Sequence, residues 1–111
     1  MADSGFDYIS ILPTEIHPKA NFGVRVSGNS MEPRYYDGDI VQVECCPAIM
    51  SGEIGIFSYK GEGYIKQLIV DTERREIILR SLNKDYDDII VRPGEELHTY
   101  GRVVGTMSVN K

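Results

Sequence analysis

The chain has 111 residues, is 41% hydrophobic and 26% charged, and carries a net charge of −5. That length holds one domain, which can bury a core without cross-links. No apolar run approaches the roughly 20 residues that a membrane span needs. The start, MADSGFDYIS, lacks the basic then apolar pattern of a secretory signal. The acidic balance argues against this piece holding DNA by itself, because non-specific affinity comes from neutralising phosphates. The chain is read as cytoplasmic, with no membrane partner.

Strand signals dominate in chain order. Residues 1–21, with Pro13 and Pro18, read as an extended arm or linker. FGVRV (22–26) alternates, placing Val24 and Val26 on one face. DIVQVE (39–44) follows the Asp37-Gly38 turn, and EIGIFSY (53–59) and YIKQLIV (64–70) flank KGEG (60–63), read as a hairpin loop. EIILRSL (76–82) follows the polar turn DTERR, DIIV (88–91) ends at Arg92-Pro93-Gly94, and YGRVVGTMSV (100–109) closes the chain. About seven short strands at this spacing predict a mostly β fold. A single helical turn is expected at 32–36 or 47–50. The apolar last strand is expected at an open sheet edge, where it would pair with a second copy to give a homodimer.

The two cysteines, Cys45 and Cys46, are neighbours. Adjacent cysteines rarely bridge, and no second pair completes a zinc site, so they read as packed free thiols and no metal is expected. His17 and His98 are far apart with no ligand spacing, and read as surface or loop residues. No cofactor is implied.

Two residues resist a purely structural reading. Ser30 sits in SGNSMEPRYYDGD (27–39), a loop fixed by turn residues. Alone, a serine there caps or turns the chain. Lys66 lies in YIKQLIV, where Tyr64, Leu68 and Val70 share its face and Ile65 and Ile69 occupy the other. Both faces are apolar, as in a central strand. Alone, such a lysine commonly lays its stem on apolar surface and sends its amine to water. Together the two residues fit another chemistry. A lysine ordinarily titrates near ~10.4. Burial disfavours its ammonium, and a neutral amine can take the proton of a serine hydroxyl.

VSGNSMEPRYYDGDIVQV (26–43), SGEIGIFSYKGEGYIKQL (51–68), LRSLNKDYDDIIV (79–91) and GRVVGTM (101–107) occur in this order, and over 22–109 the chain resembles the C-terminal domain of LexA and phage-repressor proteins, also found in UmuD. The resemblance implies a curved, partly barrel-like β fold over 22–111 and a serine-lysine autopeptidase that dimerises. It implies Ser30 as nucleophile, Lys66 as general base, backbone N–H groups of Asn29 and Ser30 as oxyanion hole, and Met31 as support for the loop. Asp37-Gly38-Asp39 is read as structural. The implied partners are a second copy, a RecA filament or an antirepressor, and operator DNA only through a helix-turn-helix domain that this sequence lacks. A non-cleaving domain with a vestigial dyad and a UmuD-like polymerase accessory subunit are the alternatives.

One departure from the family pattern bears on activity. The family cuts itself at an Ala-Gly or Cys-Gly bond upstream of the serine, and the glycines before Ser30 follow Ser4, Phe22 and Ser27 instead. The expectation is a C-terminal piece starting near or just after the cleavage region, with a naturally short protein as the alternative.

Overall fold

The computed structural model describes residues 7–9 and 17–107. Among them every regular element is a strand: β1 (Tyr8–Ile9), β2 (Phe22–Arg25), β3 (Ile40–Cys45), β4 (Ile54–Tyr59), β5 (Glu62–Asp71), β6 (Glu76–Arg80), β7 (Ile89–Val91) and β8 (Leu97–Met107). They form one sheet in the order β1-β2-β3-β8-β4-β5-β6-β7, with every neighbouring pair antiparallel. The register shifts opposite Gln42/Val43 and opposite Ile56/Phe57, where β8 carries the extra residues Val104 and Tyr100. Bulges of this kind bend a strand and raise its twist, which curls the sheet into a half-barrel. Among the described residues no helix is long and apolar enough to cross a membrane.

The expected strands correspond to β2 through β8. Within 1–21, β1 pairs with β2, Tyr8 opposite Val24, and the rest of that arm lies largely outside the described residues. The expected strand to 109 is described as far as Met107. The hairpin is tighter than KGEG suggested. Tyr59 already pairs with Glu62, leaving a two-residue turn in which Lys60 (φ 51°) and Gly61 (φ 80°) are both left-handed. That is the turn whose twist matches the flanking strands. A single helical turn does form near 32–36, where Met31 C=O accepts from Arg34 and Tyr35 N–H at 3.1 and 3.0 Å.

Two expectations are corrected. The last strand is not an edge: β8 lies between β3 and β4, paired on both sides at Gly101 and Arg102, with 97–100 paired to β4 alone and 103–107 to β3 alone among the described residues. Sequence pattern marks a strand as apolar but not its place in the sheet. Gly101 shows how tightly β8 is held, since a Cβ there would lie 2.3 Å from the Glu44 carbonyl oxygen. Cys45 is exposed, not packed, while Cys46 is half-buried with its thiol 3.5 Å from Glu44 C=O.

The curl separates two apolar clusters. Val24, Val41, Val43, Ile56 and Ile65 pack with Met31 and Tyr35 of the loop. Phe57, Tyr59, Tyr64, Leu68, Leu79 and Val91 form the second. β5 feeds both, through Ile65 on one face and Tyr64 and Leu68 on the other. At the rim of the second cluster, Glu95 accepts from Arg92 N–H at 2.8 Å and Tyr59 O–H at 2.7 Å, with Lys60 Nζ at 3.2 Å. These donors, the Arg92 amide foremost, hold the Glu95 carboxyl at about 2 instead of the usual 4.5. A depressed carboxyl stabilises the fold above its unfolded pKa and loses that effect as pH falls through the folded value. Glu95→Gln should therefore lower the thermal midpoint at pH 6, with the difference closing as pH drops from about 4.5 towards about 2. Midpoints across that range that stay equally far apart would contradict this.

Candidate active site

Ser30 opens the turn that follows β2. The loop is fixed by hydrogen bonds from its own polar residues. Asp37 Oδ1 accepts from Gly28 N–H at 2.8 Å, and Asp39 Oδ2 accepts from Tyr36 N–H at 2.9 Å. Val26 and Gly38 or Asp39 exchange backbone bonds of 2.8 Å across its base. Met31 is fully buried in the first cluster, so the residue after Ser30 anchors the loop to the core. Gly28 takes φ 84°, a conformation that a side chain would disfavour.

Ser30 itself is 1% exposed, and its Oγ has no hydrogen-bond partner among the described residues. An unsatisfied buried hydroxyl costs about 1–3 kcal/mol. Structural serines in loops normally avoid this by capping.

Lys66 lies at the middle of β5 and is 0% exposed. The arrangement in which a strand lysine sends its amine to water is therefore excluded. Its Nζ donates to Ser81 Oγ at 2.7 Å and sits 5.9 Å from the Tyr64 ring centre and 5.6 Å from that of Tyr86. Gln67 pairs with Arg80, so the same register continued by one residue sets Ser81 opposite Lys66 on the same face.

The segment 81–88 joins the lysine to the serine loop. Asn83 N–H donates to Ser30 C=O at 2.9 Å, and Asn83 Nδ2 donates to Asn29 C=O at 2.9 Å. Tyr86 O–H bonds to Asn29 Oδ1. The segment is itself closed by a fork in which Arg80 reaches both Asp88 oxygens, at 3.1 and 3.0 Å. The guanidinium holds the Asp88 carboxyl below its usual range. Asn29, Ser30, Lys66, Ser81, Asn83 and Tyr86 thus occupy one corner of the sheet. A trans peptide points its C=O and N–H in opposite directions. With both carbonyls turned to Asn83, the Ser30 N–H faces away, and neither it nor the Asn29 N–H donates a backbone hydrogen bond among the described residues.

Of this group, the sequence reading singled out Asn29, Ser30, Met31 and Lys66. Ser81, Asn83 and Tyr86 were missed as individuals. Ser81 was in principle findable, because the DTERR turn fixes which residue faces Lys66. A separate cleft of about 580 Å³ is lined by Leu68 and Val70, which alternate onto the same face of β5 as Lys66, together with Ile77 and Val91. Among the described residues, no cluster of three or more His, Cys, Asp or Glu side chains could hold a metal.

Comparison with known proteins places the chain in a family. The chain is 32% identical to a LexA repressor of Magnetococcus marinus over 75% of its length, covering 36% of that protein. It is 33% identical to Protein MucA of Salmonella typhimurium over 72% of its length, covering 53% of that protein. A LexA repressor of Psychromonas ingrahamii is 31% identical over 74% of the chain and is itself covered over 39%. The chain thus spans about a third to a half of these relatives. The Peptidase S24-like family model matches residues 2–104, nearly the whole of an all-β chain whose loop serine and strand lysine are both buried, and the chain belongs to that family.

Proposed function

We propose that this chain is the C-terminal regulatory domain of a LexA-like or phage-type transcriptional repressor, and that it cuts a peptide bond with a Ser30-Lys66 dyad. One observation carries the reading: a lysine amine with no solvent access shares a corner with a buried serine hydroxyl that has no hydrogen-bond partner among the described residues. A buried ammonium costs several kcal/mol. A site that keeps the lysine and leaves the serine unbonded gives up stability unless both groups act.

In the proposed reaction, neutral Lys66 takes the Ser30 Oγ proton as Oγ bonds to the scissile carbonyl carbon. The oxyanion is met by the N–H groups of Ser30 and Asn29. Lys66 then gives its proton to the leaving nitrogen as the C–N bond breaks. Lys66 takes a proton from water as the water oxygen bonds to the acyl carbon, and gives that proton to Ser30 Oγ as the acyl–Oγ bond breaks, which restores the neutral amine and the serine hydroxyl. The apolar cleft beyond Leu68 would hold residues flanking the cut bond. In the intact repressor this cut would separate the domain from its DNA-binding partner, with a RecA filament or an antirepressor as trigger. A UmuD-like accessory subunit is the second reading, favoured by the MucA match; a helix-turn-helix upstream of this domain would exclude it.

The test is cleavage in trans. The chain should cut a separate peptide bearing an Ala-Gly bond at alkaline pH, slowly and with Ser30→Ala inactive. Equal cleavage by Ser30→Ala, or none by either, would leave a vestigial dyad. The chain itself, which has no such bond, should keep its mass under the same conditions.

Dimerisation is proposed through the free side of β8. Residues 103–107 offer backbone groups with no sheet partner on that side among the described residues, and such edges pair with a second copy. Light scattering should report twice the 12.5 kDa chain mass at high concentration; a monomer would end this proposal.

A further inference from the structure

We propose that Ser81 is a positioning residue for Lys66, its hydroxyl orienting the amine towards Ser30 and favouring the ammonium that forms during proton transfer. The proposal rests on Lys66 acting as the base, and goes beyond the two-residue dyad to a third residue.

Ser81 is 7% exposed, follows the last β5-β6 pair (Gln67 with Arg80) by one residue, and accepts from Lys66 Nζ at 2.7 Å. A neutral amine has two N–H groups and one lone pair. A lysine stem with four rotatable bonds leaves the direction of that lone pair open. One N–H held by Ser81 Oγ restricts the rotation, so the lone pair is aimed at a limited arc that can include the serine loop. Ser81 is well placed to aim it, because it stands two residues before Asn83, which binds the Ser30 carbonyl. The lysine and the serine loop are thus referenced to the same short segment.

The contact also changes strength along the reaction. While Lys66 is neutral, the bond to Ser81 is an ordinary one. When Lys66 takes the Ser30 proton, the same bond becomes charge-assisted and stronger. An interaction that strengthens as the barrier is approached raises the rate and leaves substrate binding alone. It also stabilises the ammonium at rest, so it raises the pH at which the lysine gives up its proton. The titratable side chains set against the amine are the phenols of Tyr64 on β5 and Tyr86 on the 81–88 segment; β4 presents Gly55 and Phe57 on that face.

Ser81→Ala and Ser81→Thr separate this role from packing. Cleavage of the Ala-Gly peptide in trans should fall about tenfold to a hundredfold in kcat for Ser81→Ala, the range a charge-assisted hydrogen bond supports, with KM nearly unchanged. The midpoint of the rate-pH curve should move to lower pH, which a purely structural role would not cause. Ser81→Thr keeps the hydroxyl and should restore both. Lys66 titration followed by NMR of 15N-labelled lysine gives a second readout that needs no cleavage: its midpoint should drop in Ser81→Ala and return in Ser81→Thr. Unchanged midpoints in both readouts, or Ser81→Thr as slow as Ser81→Ala, would overturn the proposal. If the unaltered chain cuts nothing, the dyad reading fails by itself, and the NMR titration still decides whether Ser81 governs the amine.

Discussion

Lys66→Ala and Lys66→Arg should each reduce peptide cleavage by about a thousandfold or more, alongside Ser30→Ala, because a general base and its nucleophile act as one unit. Arginine is the sharper test. It keeps length and charge, yet its guanidinium stays protonated at any usable pH and cannot accept the Ser30 proton. For the unaltered chain, the rate should climb with pH as the ammonium gives way to the amine, then level off. Lys66 has no solvent access, which disfavours the charged form, so the midpoint should fall below the ~10.4 of a free lysine. Initial rates on an Ala-Gly peptide from pH 6 to 10 measure this. A flat profile, or activity retained in Lys66→Arg, would remove Lys66 from the chemistry and leave Ser30 as a turn residue.

The sequence revealed the two central residues because each breaks a local rule. A lysine inside an apolar alternation and a serine in a loop crowded with Gly, Pro and Asp both stand out against their neighbours. The hairpins were legible for the same reason: alternation and turn residues are properties of adjacent positions. What the sequence withheld depends on distant pairs. β8 is interior because β3 and β4 both pair with it, across separations from 38 positions (Tyr59 to Leu97) to 67 (Ile40 to Met107), and no local pattern marks that. Asn83 and Tyr86 read as loop polars, and only the folded chain brings them to Asn29, which they both bind. Ser81 lies between these cases. Its role follows from one hairpin register, which a one-residue slip would have moved to the opposite face.

The buried amine should also be visible as a stability cost, and Lys66→Met is the variant that exposes it. Methionine is unbranched and adaptable, so it can fill the same channel between Tyr64 and Tyr86 without a large cavity. Exchange of a buried ionisable group for an apolar one of similar volume is often stabilising by about 1–4 kcal/mol. Two terms oppose the gain. Ser81 Oγ loses its 2.7 Å partner, which costs about 1–3 kcal/mol if it stays unbonded, and the amine's contacts with the two tyrosine rings disappear. The net gain for Lys66→Met at neutral pH should therefore be modest, about 1 kcal/mol, and Lys66→Met with Ser81→Ala should exceed it, since the stranded hydroxyl is removed as well. The pH dependence identifies the cause. Burial weakens proton binding to Lys66 in the folded chain relative to the unfolded one, so the unfolded chain holds the extra proton and native stability rises with pH. Lys66→Met lacks that proton in both states. Its advantage should be largest below the folded midpoint of the lysine and should shrink as pH approaches ~10.4. Urea unfolding at pH 6 and pH 9.5 measures both arms. An advantage that grows with pH, or a double variant less stable than the native chain at pH 6, would mean that Lys66 is held at no cost and that its burial is not a sacrifice of stability for catalysis.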